Sequence, residues 1–348
     1  MVPVKTALCS YGMSGMVFHG PLLASNPHFE ITKILERKKQ LSKEKHPMSR
    51  IVRYYDEILD DPGIELVIVN TPDQYHYNMA FQAIESGKHV VVEKPFTLRS
   101  RDADELIHHA RHKGVLLTVF QNRRWDGDFL TVQKVLNEKL LGRPVEFESQ
   151  FNRYRNYIQN SWKDQRASGS GTLYNLGSHL IDQALLLFGM PERIFCDVRK
   201  LRTGAEVDDS FDLFMQYRDI KCLLKASYLV REPGPRFTLH GTHGSYIKWN
   251  LDPQEEKLKN GVMPFKAGWG KEPKSDWGIL HTEMDGNPVR EKFKTIPGNY
   301  SIFYDNLFNA IRNGEPLLVK PEEARNVIQI IEAAYKSGQN GEVIQLKD

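Results

Sequence analysis

The N-terminal third of the chain alternates between short apolar runs and amphipathic segments. Residues 4–9 and 29–35 are apolar runs that predict strands, and residues 15–24 between them predict a helix. Strands that alternate with helices in this way are typical of βαβ units and therefore of a parallel sheet. The runs at residues 66–69 and 90–92 are continuously apolar, as expected for strands that helices cover on both faces.

The same pattern continues to about residue 122. Residues 101–113 form an amphipathic stretch that ends at Gly114, and residues 115–120 are again apolar. These elements complete a doubly wound parallel sheet. We therefore predict an α/β protein that begins with a Rossmann domain over residues 1–122.

Residues 123–348 predict a second domain, of the α+β class. A helix over about residues 130–140 precedes runs rich in β-branched and aromatic residues, such as 211–217 and 222–229, which favour a large, mostly antiparallel open sheet. Residues 252–297 are rich in Gly, Pro, Lys and Trp and have little periodicity, so we expect an irregular excursion there. The chain is predicted to close with two patterned helices, at residues 302–312 and 321–337.

Length and composition narrow the class of protein. A chain of 348 residues exceeds the usual size of one hydrophobic core, in agreement with two domains and a cleft. The formal charge of +3 is small and the basic residues are scattered, so we expect no nucleic-acid partner. Cys9, Cys196 and Cys222 are too widely spaced for a disulfide framework or a zinc site, so no metal is expected. With no leader pattern and no apolar stretch of membrane-spanning length, we expect a cytoplasmic protein without membrane contact.

A glycine-containing turn lies between the first predicted strand and the first predicted helix. It reads Ser10-Tyr11-Gly12-Met13-Ser14-Gly15. Gly12 would let the backbone approach a pyrophosphate, Gly15 would let the helix pack closely against the strand, and the helix N-terminus offers N–H groups to an anion. Ser10 replaces the usual first glycine, and glycine turns also occur without a ligand. The βαβ context is therefore what favours a dinucleotide site here.

The end of the second predicted strand holds side chains that could distinguish between the two nicotinamide dinucleotides. A carboxylate at this point typically binds the free ribose 2′-hydroxyl of NAD, whereas a basic group accommodates the 2′-phosphate of NADP. This chain offers both, because Glu36 is followed at once by Arg37 and Lys38. The basic cluster favours NADP, and NAD is the alternative cofactor. A solvated loop is an equally simple interpretation of the basic residues between positions 37 and 45.

Two further segments lie where strand ends should meet a cofactor: NTPDQYH at residues 70–76 and EKP at residues 93–95. Each alone is compatible with an ordinary turn or a surface ion pair. Together with the glycine turn, in this order and spacing, they resemble the Gfo/Idh/MocA family of oxidoreductases. The resemblance extends through NRRWDGDFLT from Asn122 and GTLYNLGSHLIDQALLLFG from Gly171 to the final helices. Within the family, the chain is similar to the NADP-dependent scyllo-inositol dehydrogenases.

The resemblance implies a set of cofactor-binding residues. By position, the glycine turn would hold the pyrophosphate, the second segment would line the adenine and ribose side, and the EKP segment would lie near the nicotinamide. A cis peptide between Lys94 and Pro95 is implied as well. Three later positions would also face the cofactor. The implied residues are Gly12, Met13, Ser14, Gly15, Thr71, Pro72, His76, Glu93, Lys94, Gln121, Arg124 and Trp162.

Hydride transfer at a carbinol carbon needs a group that removes and returns the hydroxyl proton. The resemblance gives this role to Lys94, because partial burial beside a positive nicotinamide ring would lower the pKa of its ammonium group. His179 would assist, and Asn175, one helical turn earlier, would share its face. The family usually has an aspartate at the position of Asn175, so we expect Asn175 to orient the substrate without taking up charge. A core histidine satisfied by Asp182 is the alternative interpretation of His179.

We therefore expect an NAD(P)-dependent oxidoreductase that acts on a CH–OH group of a cyclitol, sugar or related polyol. Arg153 and Tyr154 could donate hydrogen bonds to substrate hydroxyls, or could form the solvent side of a strand. Two other functions fit the same fold: a sensor that binds NAD(P) without turnover, and an enzyme in which tightly bound NAD serves hydrolysis or epimerisation. The resemblance also implies a homodimer or homotetramer, because the open sheet would otherwise expose an apolar face.

Overall fold

The computed structural model describes residues 2–159, 164, 169–284 and 286–346. The chain divides into two compact units, each built from more than one segment. The first unit consists of Met1–Asn122, Pro253–Trp269 and Asn299–Arg325. The second unit consists of Arg123–Asp252, Gly270–Gly298 and Asn326–Asp348.

A six-stranded parallel sheet, counted over the described residues, forms the centre of the first unit. Its strand order is β3-β2-β1-β4-β5-β6, so the chain reverses direction across the sheet between β1 and β4. This is the doubly wound order predicted for a Rossmann domain. The central strands are buried on both faces, as their continuous apolar sequence predicts. The strands are β1 Val4–Leu8, β2 Phe29–Leu35, β3 Arg50–Val52, β4 Leu66–Val69, β5 His89–Val92 and β6 Leu117–Val119.

Helices connect these strands. The first helical segment begins at Met13 and passes through a wider turn, Gly15–His19, before it continues as α1. The last of these helices, α4, buries one stripe of apolar residues and ends at Gly114, whose φ of +67° suits a glycine. The helices are α1 Gly20–Ala24, α2 Asp56–Leu59, α3 His76–Glu85 and α4 Ser100–Lys113.

The second unit contains a large open sheet, with nine strands in the described part of the chain. The order is β14-β13-β12-β11-β7-β10-β9-β8-β15, and every neighbouring pair is antiparallel except β7 with β10. The predicted mostly antiparallel sheet is thus confirmed. The strands are β7 Pro144–Gln150, β8 Arg193–Arg199, β9 Ser210–Gln216, β10 Lys221–Ser227, β11 Phe237–Gly241, β12 Gly244–Lys248, β13 Gly278–Met284, β14 Asn287–Phe293 and β15 Ile344–Gln345.

Five further helices follow α4 among the described residues. The helix predicted near residues 130–140 begins and ends three residues earlier. The two closing helices lie where they were predicted, with small differences at their ends. No helix within the described ranges combines the length and apolar character needed to cross a membrane. These helices are α5 Gly127–Asn137, α6 Ser178–Phe188, α7 Gln254–Lys259, α8 Ser301–Asn313 and α9 Pro321–Asn340.

The expectation of an irregular excursion over residues 252–297 was wrong in part. This stretch contains α7 and the hairpin of β13 and β14, whose turn includes Gly286 with a φ of +76°. β14 is the edge strand of the sheet and most of its residues are exposed, so its sequence carries no alternation of apolar and polar positions. An edge strand of this kind escapes detection by periodicity.

Candidate active site

The glycine turn leads from β1 directly into the first helix. The N–H of Met16 donates to the carbonyl oxygen of Gly12 at 2.9 Å, which closes the first helical turn. The hydroxyl of Ser10, in place of the usual first glycine, accepts a hydrogen bond from the N–H of Gly12 at 3.1 Å. The serine side chain therefore shapes this turn in a way that a glycine could not.

Gly15 is the position in this turn that admits no side chain. A Cβ on Gly15 would lie 2.6 Å from the carbonyl oxygen of Ser10 and 3.1 Å from Nδ2 of Asn70. The Nδ2 group of Asn70 donates to that same carbonyl at 2.8 Å, and the hydroxyl of Ser14 donates to the carbonyl of Asn70 at 3.5 Å. Asn70, which follows β4, thus holds the turn in place. Asn70 opens the NTPDQYH segment but was not among the residues predicted for the site.

His76 connects the ends of two neighbouring strands. Its ring is fully buried, with Nδ1 2.8 Å from the carbonyl oxygen of Pro95 and Nε2 3.0 Å from the carbonyl oxygen of Thr71. Both ring nitrogens therefore face main-chain oxygens, and His76 braces the loops after β4 and β5. Pro72 separates Thr71 from the short helical turn Asp73–Tyr75 that precedes α3.

The EKP segment follows β5 and has the cis peptide between Lys94 and Pro95 that the resemblance implied. Lys94 is half-buried, and Glu93 beside it is buried. One carboxylate oxygen of Glu93 accepts the N–H of Lys94 at 3.1 Å, and the other lies 2.9 Å from Nε2 of His19. Glu93 is thus held from two sides.

His19 extends this contact into the core of the first unit. Its Nδ1 lies 2.5 Å from the hydroxyl of Tyr304 on α8, and both side chains are fully buried. Because the Glu93 carboxylate only accepts hydrogen bonds, Nε2 of His19 carries the proton in the neutral ring, and the Tyr304 hydroxyl donates to Nδ1. Burial opposes the charge on Glu93, but the hydrogen bond from His19 and the nearby positive charge of Lys94 outweigh it and lower the pKa of Glu93. The structure thus contains a buried Tyr304–His19–Glu93 chain that ends beside Lys94.

A cavity of about 820 Å³ lies beside the glycine turn in the first unit. Its wall includes Gly12 and the Thr71-Pro72 pair, with Arg37, Lys38 and Lys39 along another side. Glu36 also contributes to the wall, but its carboxylate is turned into the chain, where it accepts hydrogen bonds from residues 41 and 42. Some of the predicted residues therefore meet around one cavity, namely Gly12, Glu36, Arg37, Lys38, Thr71 and Pro72, whereas Met13, Ser14, Gly15 and His76 do not line it.

In the second unit, His179 and Asn175 lie on one continuous helical stretch. Asn175 belongs to the wider turn Leu173–Gly177 that runs into α6, and its Nδ2 donates to the hydroxyl of Tyr228 at 3.4 Å. His179 is buried in the first turn of α6. Tyr228 is itself buried, and the guanidinium groups of Arg155 and Arg202 lie 5.0 and 4.8 Å from its ring centroid. Tyr228 belongs to no motif, so nothing in its sequence context indicated that it would join this group.

Asp182 is bound by Arg124 within the second unit. The Nε and Nη2 groups of Arg124 donate to the two carboxylate oxygens of Asp182 at 2.8 and 2.6 Å, and both side chains are buried. The resemblance implied that Arg124 faces the cofactor. In the structure, two N–H groups of its guanidinium bind a carboxylate of its own unit.

The remaining predicted substrate residues lie close together along the chain. Arg153 is half-buried, with its guanidinium 5.0 Å from the ring centroid of Phe151, and Tyr154 is exposed beneath the guanidinium of Arg231 at 4.2 Å. Trp162 lies outside the described residues.

Both parts of the chain match models of one protein family. Residues 4–121 match the one described as "Oxidoreductase family, NAD-binding Rossmann fold", and residues 133–346 match "Oxidoreductase family, C-terminal alpha/beta domain". The chain belongs to the Gfo/Idh/MocA family. The resemblance found in the sequence motifs is thereby confirmed over almost the whole length.

Relatives and solved structures in this family cover the full chain. The chain is 40% identical to scyllo-inositol 2-dehydrogenase (NADP(+)) IolW of Bacillus subtilis, over 99% of this chain and 96% of the relative. A putative oxidoreductase from Bacteroides fragilis is 50% identical with a TM-score of 0.92, covering 99% of this chain and 100% of that one. The structure of the putative oxidoreductase yvaA from Bacillus subtilis is 39% identical with a TM-score of 0.97, at 99% coverage of both chains.

The first unit fits the dinucleotide that this family binds. Gly15 lets the first helix pack against the Ser10 carbonyl, where a Cβ would lie 2.6 Å away, and this helix leaves its first amide groups free of intrahelical bonds. Buried polar atoms without a hydrogen-bond partner lie in the segments after two sheet strands, β4 and β6: Oδ1 of Asn70, Oγ1 of Thr71 and Oε1 of Gln121. Such groups are costly unless a ligand or water satisfies them. The chain is thus an NAD(P)-binding oxidoreductase, and these polar atoms of its first unit are placed where a bound ligand could satisfy them.

Proposed function

We propose that this chain transfers a hydride between NADP and the CH–OH or carbonyl carbon of a cyclitol, sugar or related polyol. One observation carries the proposal: the glycine turn after β1, Thr71 after β4 and Lys94 after β5 follow three neighbouring strands at the same edge of one parallel sheet. Ligands of open α/β sheets bind at this edge, where the strand order reverses. The bound dinucleotide supplies the hydride acceptor or donor.

Lys94 is the proposed general acid and base. Its amine would take the hydroxyl proton as the carbinol carbon is oxidised and would return it in the reverse direction. The half-buried position limits its access to water, and the hydrogen bond from its own N–H to Glu93 fixes the backbone from which the side chain extends. Glu93, held charged by His19, would stabilise the protonated form of the lysine between proton transfers.

In the second unit, His179 is proposed to assist Lys94 by a hydrogen bond to the reacting oxygen, and Asn175 to orient a substrate hydroxyl. An amide donates and accepts hydrogen bonds but cannot take up charge, so Asn175 positions the substrate and does not relay its proton. Arg153 and Tyr154 are proposed to contact other hydroxyls. The name of the 40% identical relative, scyllo-inositol 2-dehydrogenase (NADP(+)), supports a cyclitol substrate and the choice of NADP.

The basic rim of the cavity also supports NADP. Arg37, Lys38 and Lys39 are exposed along its wall, while the carboxylate of Glu36 is committed to the chain's own amides. A 2′-phosphate is stabilised by such cations. A more distant relative, scyllo-inositol 2-dehydrogenase (NAD(+)), is 27% identical over 83% of this chain. NAD is therefore the comparison cofactor in every test.

The test combines a substrate panel with variants of Lys94. Cyclitols, aldoses and their keto forms are screened with NADP and NAD by the absorbance of the reduced nicotinamide, and cofactor binding is measured separately by calorimetry. Lys94→Ala should lower kcat by about 10²-fold or more and leave the Kd of NADP within about threefold, since it removes only proton transfer. Lys94→Arg is the matched control. It retains the positive charge but cannot serve as a base, and it should be equally slow.

The outcomes distinguish the alternative functions. Undiminished turnover by Lys94→Ala would reject the role of Lys94. Tight NADP binding without an absorbance change for any compound would indicate that the protein is a sensor and not an enzyme. Turnover of a compound without net reduction of added cofactor would indicate hydrolysis or epimerisation with bound NAD.

A further inference from the structure

Glu36 is at the position where a Rossmann domain ordinarily has a carboxylate that binds the adenosine ribose. In this chain the carboxylate accepts hydrogen bonds from residues 41 and 42 instead. The side chain is 6% exposed. One oxygen accepts the N–H of Leu41 at 2.8 Å, and the other accepts both the N–H of Ser42 at 2.9 Å and the Ser42 hydroxyl at 2.5 Å. Three donors of the same chain thus surround the carboxylate, and hydrogen bonds to a charged group are among the stronger ones in proteins.

These hydrogen bonds close a short loop between residues 36 and 42. Arg53, just after β3, holds the same loop from the other side, because its Nη1 group donates to the carbonyl oxygens of Glu36 and, at 2.7 Å, of Lys39. The loop is therefore fixed at Glu36, at Lys39 and at residues 41–42. Its three consecutive basic residues, Arg37, Lys38 and Lys39, are all exposed and all line the 820 Å³ cavity.

The charge arrangement favours a phosphate over a free hydroxyl. A ribose 2′-hydroxyl is bound by a carboxylate that is free to accept its proton, whereas a 2′-phosphate requires cationic donors and is repelled by an accessible carboxylate. The carboxylate of Glu36, a residue that itself lines the cavity, is instead occupied by three donors of the same chain and holds the loop that carries the cations. An anchored loop also loses less conformational entropy when it binds a ligand.

We propose that Glu36 is a specificity-determining positioning residue for NADP, acting through the basic loop that it anchors and not through contact with the ribose. This inference rests on the proposed function only in taking a nicotinamide dinucleotide as the ligand. It predicts the opposite sign from the usual role of an acidic residue at this position. Loss of the Glu36 carboxylate should weaken the binding of NADP and leave the binding of NAD almost unchanged.

The test is a pair of equilibrium titrations, of NADP and of NAD, by calorimetry on the full chain without substrate. In Glu36→Gln the amide nitrogen would face the donor of either Leu41 or Ser42 and the remaining oxygen is uncharged, so the loop loses part of its anchor and the charge that strengthens the rest. The Kd of NADP should rise about tenfold or more, as expected for the loss of charge-assisted hydrogen bonds, while the Kd of NAD should change less than about threefold. General damage to the fold would weaken both cofactors equally and leave their ratio unchanged.

Two milder variants keep the test decisive if Glu36→Gln does not fold. Ser42→Ala removes one of the three donors and retains both amides, and it should shift the NADP to NAD ratio in the same direction by a smaller factor. Arg37→Ala removes an exposed cation and leaves the anchor intact, and it should also weaken NADP selectively. Added salt should reduce the wild-type preference for NADP, because the proposed contacts are ionic.

Three results would overturn the proposal: Glu36→Gln weakens only NAD binding, Glu36→Gln weakens the binding of both cofactors equally, or Ser42→Ala leaves the ratio of the two Kd values unchanged. A wild-type chain that binds neither dinucleotide would instead contradict the proposed function. The adenosine fragments with and without a 2′-phosphate, titrated in the same way, should reproduce the difference if the loop recognises that phosphate.

Discussion

Removing the Tyr304 hydroxyl tests whether the buried chain behind Lys94 stabilises the first unit. In Tyr304→Phe the ring and its aromatic contacts with Phe29 and Phe120 remain, and only the 2.5 Å contact with Nδ1 of His19 is lost. Because both side chains are fully buried, no bulk water can replace the donor.

The expected loss follows from the group left behind. A buried acceptor without its partner costs about 1–3 kcal/mol of the free energy of unfolding. For a unit of this size each kcal/mol corresponds to a decrease of about 2–4 °C in the midpoint of thermal unfolding.

Urea unfolding followed by tryptophan fluorescence, supported by calorimetric melting, measures this difference. Tyr54→Phe is the matched control, because Tyr54 is 73% exposed. The control should change the free energy of unfolding by less than about 0.5 kcal/mol. A Tyr304→Phe protein as stable as the wild type, or more stable, would refute the argument that this hydroxyl satisfies His19.

Three further predictions concern the cofactor turn, the second unit and pH. Gly15→Ala should weaken NADP binding by about tenfold or more, measured by calorimetry, because a Cβ would lie 2.6 Å from the Ser10 carbonyl and force the turn to move; unchanged affinity would contradict this account of the turn. Asp182→Asn should lower the free energy of unfolding by about 3–5 kcal/mol in urea titrations, since it leaves the buried Arg124 guanidinium without its carboxylate; a loss below about 1 kcal/mol would mean that the pair is better hydrated than its burial indicates. The lowered pKa of Glu93 stabilises the fold above its ordinary value of 4.5, so the stability advantage of the wild type over Glu93→Gln should be complete at neutral pH and disappear as the pH falls below about 4.5; an advantage that grows on acidification would reverse the assigned sign.

The sequence was informative wherever the physical requirement was local. The βαβ alternation, the glycine turn and the helix that ends at Gly114 each depend on residues adjacent along the chain, and the structure contains all three. The hairpin of β13 and β14 was missed because its outer strand lies at a sheet edge, where solvent removes the apolar alternation that marks a buried strand.

Long-range partners could not be predicted from spacing. The hydrogen bond between His19 and Glu93 spans 74 positions, and the one between His19 and Tyr304 spans 285. Neither contact follows from a motif. The same holds for Arg124 with Asp182, which are 58 positions apart. Glu36 shows a subtler limit. Its position along the chain was predicted correctly, but the direction of its carboxylate depends on a loop whose donors the sequence does not mark.

Several inferences from the sequence remain predictions. They are the domain boundary after residue 122, the roles of the site residues, and self-association as a dimer or tetramer. The open sheet does expose apolar side chains, including Phe195 and Phe214 on neighbouring strands, whose ring centroids are 6.5 Å apart. Light scattering would measure the association state.

We expect this chain to move a hydride from a carbinol carbon of its substrate to the nicotinamide, with Lys94 taking the proton. The most direct measurement uses the best-turned-over compound of the cyclitol and sugar panel, deuterated at its carbinol carbons, with oxidised NADP. Mass spectrometry of the reduced cofactor should find one deuterium per molecule with the wild type, and Lys94→Ala should form almost none of this product. Reduced cofactor that carries no deuterium, or labelled product formed equally fast without Lys94, would contradict the account.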